Sequence, residues 1–169
     1  MVTGVQTCAL PISYTAVAAA LQGSVVAGKV AVTSGEVVSN RVGDIKAKLI
    51  QLSDESLSTA SRSTYNTDLA SMVAEVNNYL SQASYNGRNL LGSGGTNLVV
   101  VGSIDGGGVT IRNNDVTDLA LATVASNTDA VARLSALTAF KANLDTALAN
   151  LGSDLTRVES QTEFVKQQE

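Results

Sequence analysis

The fold is decided by residues 127–165, whose sequence is NTDAVARLSALTAFKANLDTALANLGSDLTRVESQTEFV. Residues spaced alternately by four and three run through this stretch without interruption, and almost all of them are apolar. They are Ala130, Leu134, Leu137, Lys141, Leu144, Leu148, Leu151, Leu155, Val158, Thr162 and Val165. This heptad spacing keeps one stripe of a helix facing a second helix along its whole length. A core face of an ordinary helical bundle is the alternative interpretation.

The start of this helix is marked by polar residues. Ser126, Asn127 and Thr128 offer N-cap oxygens, and Asp129 places a negative charge where the helix dipole favours it. More than about thirty-five residues at ~1.5 Å each make a rod of roughly 50–60 Å. Because its apolar stripe is narrow, the rod needs a partner helix from elsewhere in the chain.

Residues 13–52 supply a second stripe with the same spacing. Its positions are Val17, Leu21, Ser24, Gly28, Ala31, Gly35, Val38, Val42, Ile45, Leu49 and Leu52. Small residues in the middle let a neighbouring helix approach closely, but each glycine costs up to ~1 kcal/mol relative to alanine. We therefore expect this helix to form only when packed, with the two stripes antiparallel.

The segment between the two stripes predicts a shorter helix over residues 58–83, with Ser58 or Thr59 as its N-cap. Asn86-Gly87 suits a turn with positive φ, and residues 97–113 predict a β-hairpin around Asp105-Gly-Gly. Residues 115–125 form a connector, with a short helical turn expected over 118–121. The predicted fold is mainly α: an elongated, antiparallel, coiled-coil-like bundle of three helices with a small β-hairpin.

The composition excludes several classes of function. Hydrophobic residues make up 44% of the chain, aromatic residues only 4%, and the net charge is −4 without a basic block, so we expect no nucleic-acid partner. There is no His, and Cys8 is the single Cys. Most metal sites, Ser/His triads and internal disulfides are thereby excluded, and we expect no cofactor. The most apolar stretch, residues 14–28, is shorter than the ~20 residues of a membrane span, so we expect no membrane insertion.

Residues 2–12, VTGVQTCALPI, look like one reading frame of a widely used sequencing-library adapter translated into protein. We therefore expect residues 1–12 to be non-native and leave them out of the fold prediction. A genuine N-terminal arm is the alternative. The core domain then comprises residues 13–169.

No catalytic constellation emerges. The glycine-rich pieces at 92–95 and 106–108 lack the Gly-Lys-Ser/Thr ending of a phosphate loop, so tight turns explain them. The carboxylate pairs Asp54/Glu55 and Asp115/Asp118 fit loops and caps, and Glu159/Glu163 fits an outer helix face. A thin helical rod offers little of the dry concavity that acid–base catalysis needs, so we expect no enzyme.

Three separated segments resemble bacterial flagellins, with an alphaproteobacterial character. The run ending in Ala83-Ser-Tyr-Asn-Gly-Arg-Asn-Leu-Leu is similar to the first-half core of the family, and Asn86, Gly87, Leu90 and Leu91 match its turn signature. Ile104-Asp-Gly-Gly-Gly followed by Val109-Thr-Ile resembles the family's hairpin. Leu151-Gly with Arg157-Val-Glu-Ser-Gln and Phe164 resembles its C-terminal core helix.

The resemblance implies the flagellin D1-like core domain of a structural subunit that self-assembles into the bacterial flagellar filament and serves motility. It implies extracellular localisation after export through the flagellar type III apparatus, with an export chaperone as a further partner. We expect the family's terminal polymerisation helices to be missing here, so that the fragment alone does not assemble. The packing residues of the two stripes, rather than a catalytic site, are the expected functional residues.

The resemblance also bears on an innate immune receptor that detects some flagellins through the first core helix. The key arginine and leucine of that patch would fall near Asp44 and Lys48, and both substitutions predict weak recognition. Two other interpretations stay open. One is the hook–filament junction protein of the same fold, and the other is a coiled-coil adhesin or binding module whose stripes face a foreign partner.

Overall fold

The computed structural model describes residues 6–168, with side chains from residue 14 onward. Its elements, in chain order, are α1 (Gln6–Leu52), α2 (Thr59–Gln82), β1 (Ser84–Tyr85), β2 (Arg88–Asn89), β3 (Leu98–Val101), β4 (Gly108–Ile111) and α3 (Asn127–Lys166). The predicted mainly α fold with a small hairpin is confirmed. Helix α1 begins seven residues before the predicted start at residue 13, and residues 1–5 lie outside the described part. The non-native origin of residues 1–12 stays a prediction.

Helices α1 and α3 lie antiparallel, with leucines of α3 seated over glycines of α1. A Cβ added at Gly28 would lie 2.5 Å from Leu155 Cδ2, and one added at Gly35 would lie 2.5 Å from Leu148 Cδ2. From the first of these pairs to the second, the residue number increases by seven on α1 and decreases by seven on α3. This is the heptad repeat of two antiparallel helices. Lys29 and Glu159 form an ion pair of 3.0 Å between the same two helices.

The predicted stripe of α1 is buried from Leu21 to Leu52, and Val17 is half-buried. On α3 the buried face is wider than the predicted stripe, because it also takes in Phe140, Ala147 and Asp154. Leu134, Lys141 and Leu148 are only partly buried. The extra width follows from the packing, because α3 contacts the β3–β4 hairpin and the residues just after it as well as α1.

Helix α1 is also long and apolar enough over Tyr14–Leu52 to cross a membrane, by length and composition alone. About a third of its most apolar window is buried within this chain. Core helices of soluble proteins pass the same criterion, and here the buried side of α1 packs on α3 and α2. The absence of membrane insertion therefore stays a prediction.

The corner between α1 and α2 is closed by side chains that bind free carbonyl groups. The Arg62 guanidinium donates to the carbonyl oxygens of Leu52 at 2.7 Å and Asp54 at 2.8 Å. Ser58 caps α2 by accepting the Ser61 N–H at 3.1 Å. Asn127, at the start of α3, donates to the Ser53 carbonyl at 3.1 Å. The bonds to the Leu52 and Ser53 carbonyls and to the Ser61 N–H satisfy backbone groups at helix ends, which lack partners within the helix itself.

The connector between β4 and α3 is extended, and the expected helical turn over residues 118–121 does not form. Asn77 of α2 accepts the Leu119 N–H at 2.8 Å and donates to its carbonyl at 3.0 Å. Asn66 does the same for Val124, at 2.8 and 3.0 Å. From 66 to 77 a helix rises ~16 Å, and from 119 to 124 an extended chain spans about the same length. The matched spacing lays the connector along α2, and both backbone groups of Leu119, within the expected helical turn, bind Asn77 instead.

Candidate functional site

The turn that carries the family signature is a two-residue hairpin loop. β1 and β2 pair antiparallel, with Tyr85 opposite Arg88, and the two loop residues Asn86 and Gly87 have φ values of 50° and 76°. Two consecutive positive φ values define a type I′ turn, for which Asn-Gly is the favoured pair. Leu90 and Leu91 follow directly and are buried in the core. The turn thus reverses the chain and delivers two leucines to the helix seam.

An asparagine network behind this turn holds the irregular segment in place. Asn89 donates to the Leu80 carbonyl at 2.7 Å and accepts the Gly92 N–H at 2.7 Å. Asn113 donates to the carbonyls of Asn89 and Gly92, each at 3.1 Å. A Cβ at Gly95 would lie 2.1 Å from the Asn89 carbonyl oxygen, so the network requires glycine there. The glycine-rich piece at 92–95 is a packed structural turn.

The β3–β4 hairpin rests on the helices through one apolar face. Leu98 pairs with Ile111 and Val100 with Val109, and these side chains are buried or half-buried. Val99 and Val101 point outward and are exposed by 65% and 50%. Gln161 of α3 donates to the Gly102 carbonyl at 2.6 Å, near the hairpin tip. The hairpin is therefore clamped to α3 at its tip and, through Arg112, at its base.

The base of the hairpin is bound by Asp154, a residue that the sequence analysis did not single out. Asp154 accepts the Arg112 backbone N–H at 2.9 Å and the Arg112 side-chain nitrogens at 3.1 Å each. Arg157, one turn later on α3, donates to the same carboxylate at 3.0 Å and also to the Thr110 carbonyl. Asp154 is 2% exposed, whereas both arginines are about half exposed. The available sequence signal was an Asp beside the seam residue Leu155, with Arg157 one turn away.

The protonation of Asp154 reflects two opposing influences. Burial of the side chain tends to raise the pKa of the carboxyl. Hydrogen bonds from the side chain and backbone of Arg112, together with the charges of Arg112 and Arg157, lower it and prevail. The pKa of Asp154 therefore lies below its ordinary value, and the carboxylate is charged at neutral pH.

The predicted packing residues come together in one seam. The structure buries Leu21, Val38, Val42, Ile45, Leu49, Leu137, Leu144, Leu151, Leu155 and Val158, and half-buries Leu134 and Leu148. Asp44 lies exposed on α1 and pairs with Arg41 at 3.3 Å. Lys48 reaches α2, where it pairs with Asp68 at 3.1 Å and lies 4.7 Å from the centroid of the Tyr65 ring. Lys48 thus ties two helices of the chain together.

The carboxylate pairs lie in structural positions. Asp54 accepts the backbone and side chain of Ser56, which hold the pKa of its carboxyl below the usual range. Asp115 accepts the Gly94 N–H at 3.0 Å. Glu159 pairs with Lys29 of α1, and Glu163 with Lys166. Among residues 14–168, no three side chains of a kind that binds metals cluster together.

Several large aliphatic or aromatic side chains remain on the outside of the rod. The exposed ones among the described residues are Val26, Ile50, Val99, Val101, Ile104, Val131 and Phe164. They lie on α1, on the hairpin and on α3, rather than around one concave pocket. This distribution suits contacts along the sides of a rod better than binding of a small ligand.

The sequence matches known proteins over most of its length. Residues 15–96 match a family described as the bacterial flagellin N-terminal helical region. Flagellin FljO of Caulobacter vibrioides is 30% identical over 141 residues, and flagellin FljK of the same organism is 27% identical over 141 residues. Each alignment covers 80% of this chain and 52% of the relative. The chain therefore spans about half the length of the curated relatives it matches.

A solved structure has the same fold. The crystal structure of Bacillus cereus flagellin superposes with a TM-score of 0.75, over 85% of this chain and 86% of that one, at 14% sequence identity. At this identity the likeness concerns the fold. The Caulobacter relatives agree with the alphaproteobacterial character that the sequence indicated.

Proposed function

We propose, from the premise that this chain belongs to the bacterial flagellin family, that it forms the helical core of a structural subunit of the flagellar filament. The observation that carries the proposal is the antiparallel seam of α1 and α3, which buries α1 from Leu21 to Leu52 against α3 from Val165 back to Ala130. Helices of 47 and 40 residues correspond to rods of ~70 and ~60 Å. The family is structural rather than enzymatic.

The partner in this proposal is a further copy of the same subunit. The exposed apolar side chains on α1, α3 and the hairpin would be covered by neighbours in a filament. Contacts between two different patches of identical subunits generate an open helical assembly when the rotation does not close. Neither a cofactor nor a nucleic acid has a role in this function.

We further propose that the subunit reaches the outside of the cell through the flagellar type III export apparatus, with an export chaperone as a transient partner. Export of this kind needs a chain that unfolds easily. The glycines within α1, which lower the intrinsic stability of the helix, support this part of the proposal. Its extracellular location would be the filament itself.

A graft into a relative tests the filament role. The part of Caulobacter FljK that this chain matches is replaced by the corresponding residues of this chain, in a strain without other flagellins. We expect filaments by electron microscopy and swimming in soft agar. Release of the hybrid into the medium should stop when the flagellar export ATPase is deleted, which tests the export route separately.

Two substitutions on α3 sharpen this test. Leu144→Asp buries a charge in the seam, where the side chain is 0% exposed, so filaments should be lost. Ser135→Asp places the same charge on the exposed side of α3 and should leave filaments intact. Normal filaments from the Leu144→Asp hybrid would contradict the seam as the basis of the subunit.

Recognition by the innate immune receptor stays a separate prediction. Asp44 is paired with Arg41, and Lys48 is engaged by Asp68 and Tyr65, so neither position presents the expected arginine or leucine to a partner. We expect weak activation in a receptor reporter assay with the hybrid flagellin. Restoring both residues, as Asp44→Arg with Lys48→Leu, should raise activation if these positions align with the patch.

A further inference from the structure

We propose that the Asp154 carboxylate is an acid-sensitive latch that holds the β3–β4 hairpin on α3, and that protonation frees the hairpin while the α1–α3 rod stays folded. The inference concerns the isolated chain and does not depend on the filament role. In this proposal the hairpin can undock from α3 and dock again as the pH changes.

The latch joins the base of the hairpin to a helix 42 positions away in sequence. Arg112 directly follows β4 and donates three N–H groups to Asp154, one from its backbone and two from its guanidinium. Arg157 donates to the same carboxylate and to the Thr110 carbonyl within β4. One buried carboxylate thus organises both arginines around the last residues of the hairpin.

Protonation of Asp154 would replace its attraction to the two arginines by repulsion between the arginines themselves. Arg112 and Arg157 are the charged groups that act on Asp154, one from the hairpin side and one from α3. On α1, Lys29 is already paired with Glu159, and Asp105 lies in the exposed turn at the far end of the hairpin. Without the negative charge, two guanidinium groups would face each other across a neutral acid, which accepts hydrogen bonds less well.

The rod depends less on pH, because the other carboxyls whose pKa is lowered, Asp54 and Asp129, lie at helix ends and not in the seam. Of the described residues, Asp154 is the only charged one that is buried, and the buried polar residues of the seam, Ser24 and Thr162, do not titrate. The carboxylates that pair with Lys29, Arg41 and Lys48 are about half exposed, so these surface pairs contribute little stability. We therefore expect the aliphatic packing of α1 on α3 to persist at a pH at which the contacts of Asp154 are lost.

Apart from the latch, the hairpin is held by the hydrogen bond from Gln161 to the Gly102 carbonyl at its tip and by one partly buried apolar face. Ile111 is its one fully buried side chain, while Leu98, Val100 and Val109 are half-buried. Segments with few buried apolar contacts open at low free-energy cost. The hairpin can therefore leave the rod without unfolding of the helices.

The direction of the pH effect follows from the lowered pKa of Asp154. A carboxyl whose pKa is lower in the docked state stabilises docking fully above the ordinary Asp pKa of about 3.9. That stabilisation is lost as the pH falls through the lowered value. The hairpin should therefore stay docked at neutral pH and be released only at a pH below the ordinary Asp pKa of about 3.9.

The test is methyl NMR of the full chain from pH 7 to 2.5, with far-UV circular dichroism at 222 nm on the same samples. We expect the methyl signals of Val100, Val109 and Ile111 to move towards unstructured positions below about pH 4, the range set by the Asp pKa. The helical signal should persist through that change. Asp154→Asn should show the acid-state hairpin signals at pH 7, and these should no longer respond to pH.

Asp129→Asn is the matched control. Asp129 is also a carboxyl whose pKa is lowered, by hydrogen bonds from Ala125 and Ser126, but it caps α3 far from the hairpin. This variant should keep the wild-type hairpin signals and their pH response. The proposal is overturned if Asp154→Asn keeps wild-type hairpin signals at pH 7. It is also overturned if the wild-type hairpin stays docked to pH 2.5, or if hairpin and helix signals disappear together.

Discussion

At the scale of single residues, the glycines of α1 fall into two groups with opposite roles. Gly28 and Gly35 lie under Leu155 and Leu148, so an added Cβ would clash at 2.5 Å. Gly23 and Gly43 have no neighbouring atom within 4 Å of an added Cβ. Only the first two allow the close approach of α3. The other two weaken the helix without a packing role in this chain.

This difference predicts opposite effects of the same substitution. Gly43→Ala should stabilise the chain by roughly 0.5–1 kcal/mol, because alanine favours the helix and meets nothing. Gly28→Ala should destabilise it by about 1 kcal/mol, because overpacking of ~1–3 kcal/mol outweighs the helix gain. Urea unfolding followed by circular dichroism measures both. Equal stabilisation by the two substitutions would show that the Leu155 side chain does not pack directly against Gly28.

At the scale of elements, the connector is held to α2 by side chains rather than by regular secondary structure. Asn77 satisfies both backbone groups of Leu119, and Asn66 both groups of Val124. Loss of one such amide leaves a partly buried N–H and C=O without partners. A pair of unsatisfied groups is costlier than one lost hydrogen bond.

We therefore expect Asn77→Ala to lower the free energy of unfolding by ~1–3 kcal/mol. Asn78→Ala is the control, because the neighbouring side chain is exposed, and its effect should stay within ~0.5 kcal/mol. Denaturant unfolding of the two variants provides the comparison. Amide hydrogen exchange at Leu119 should also be faster in Asn77→Ala but not in Asn78→Ala. Unchanged exchange at Leu119 in Asn77→Ala would mean that the Asn77 side chain does not hold the connector on α2.

The helix α3 offers a second element-scale prediction. Leu144 is fully buried in the seam, whereas Val131 on the same helix is 54% exposed. Leu144→Ala should cost ~2–5 kcal/mol through lost burial and the cavity left behind. Val131→Ala should change stability by less than ~0.5 kcal/mol. Thermal and urea unfolding measure both, and similar losses for the two would mean that the seam does not carry the stability of α3.

At the scale of the whole molecule, the antiparallel rod makes a prediction about distance. Lys29 on α1 is paired with Glu159 at one end of α3, while Arg133 lies near the other end. From 133 to 159 the helix rises ~39 Å at 1.5 Å per residue. The two positions on α3 should therefore differ strongly in their distance from residue 29.

Pulsed electron spin resonance measures this directly. In a Cys8→Ser background, spin labels at residues 29 and 159 should report a short separation, and labels at 29 and 133 one longer by tens of ångströms. A label pair within α3, at 133 and 159, calibrates the length of the rod. A short distance between 29 and 133 would mean that the two helices run parallel.

The sequence by itself determined the features that depend on local period and local conformation. The heptad spacing of residues 130–165 and 17–52 placed the buried stripes, because a helix with that repeat has a single face to bury. Asn86-Gly87 indicated the tight turn, since only such residues adopt two positive φ values at low cost. Ser126 and Ser58 were among the predicted caps for the same local reason.

The tertiary structure decided what depends on residues far apart in the chain. It widened the buried face of α3 to Phe140 and Ala147, chose Gly28 and Gly35 as the points of close approach, and brought Asp154 to Arg112. It also kept the connector extended, because the hydrogen-bond partners of Leu119 and Val124 lie 42 and 58 positions away on α2. Local periodicity cannot report such contacts, since their energy exists only after the helices have packed and brought distant side chains within reach.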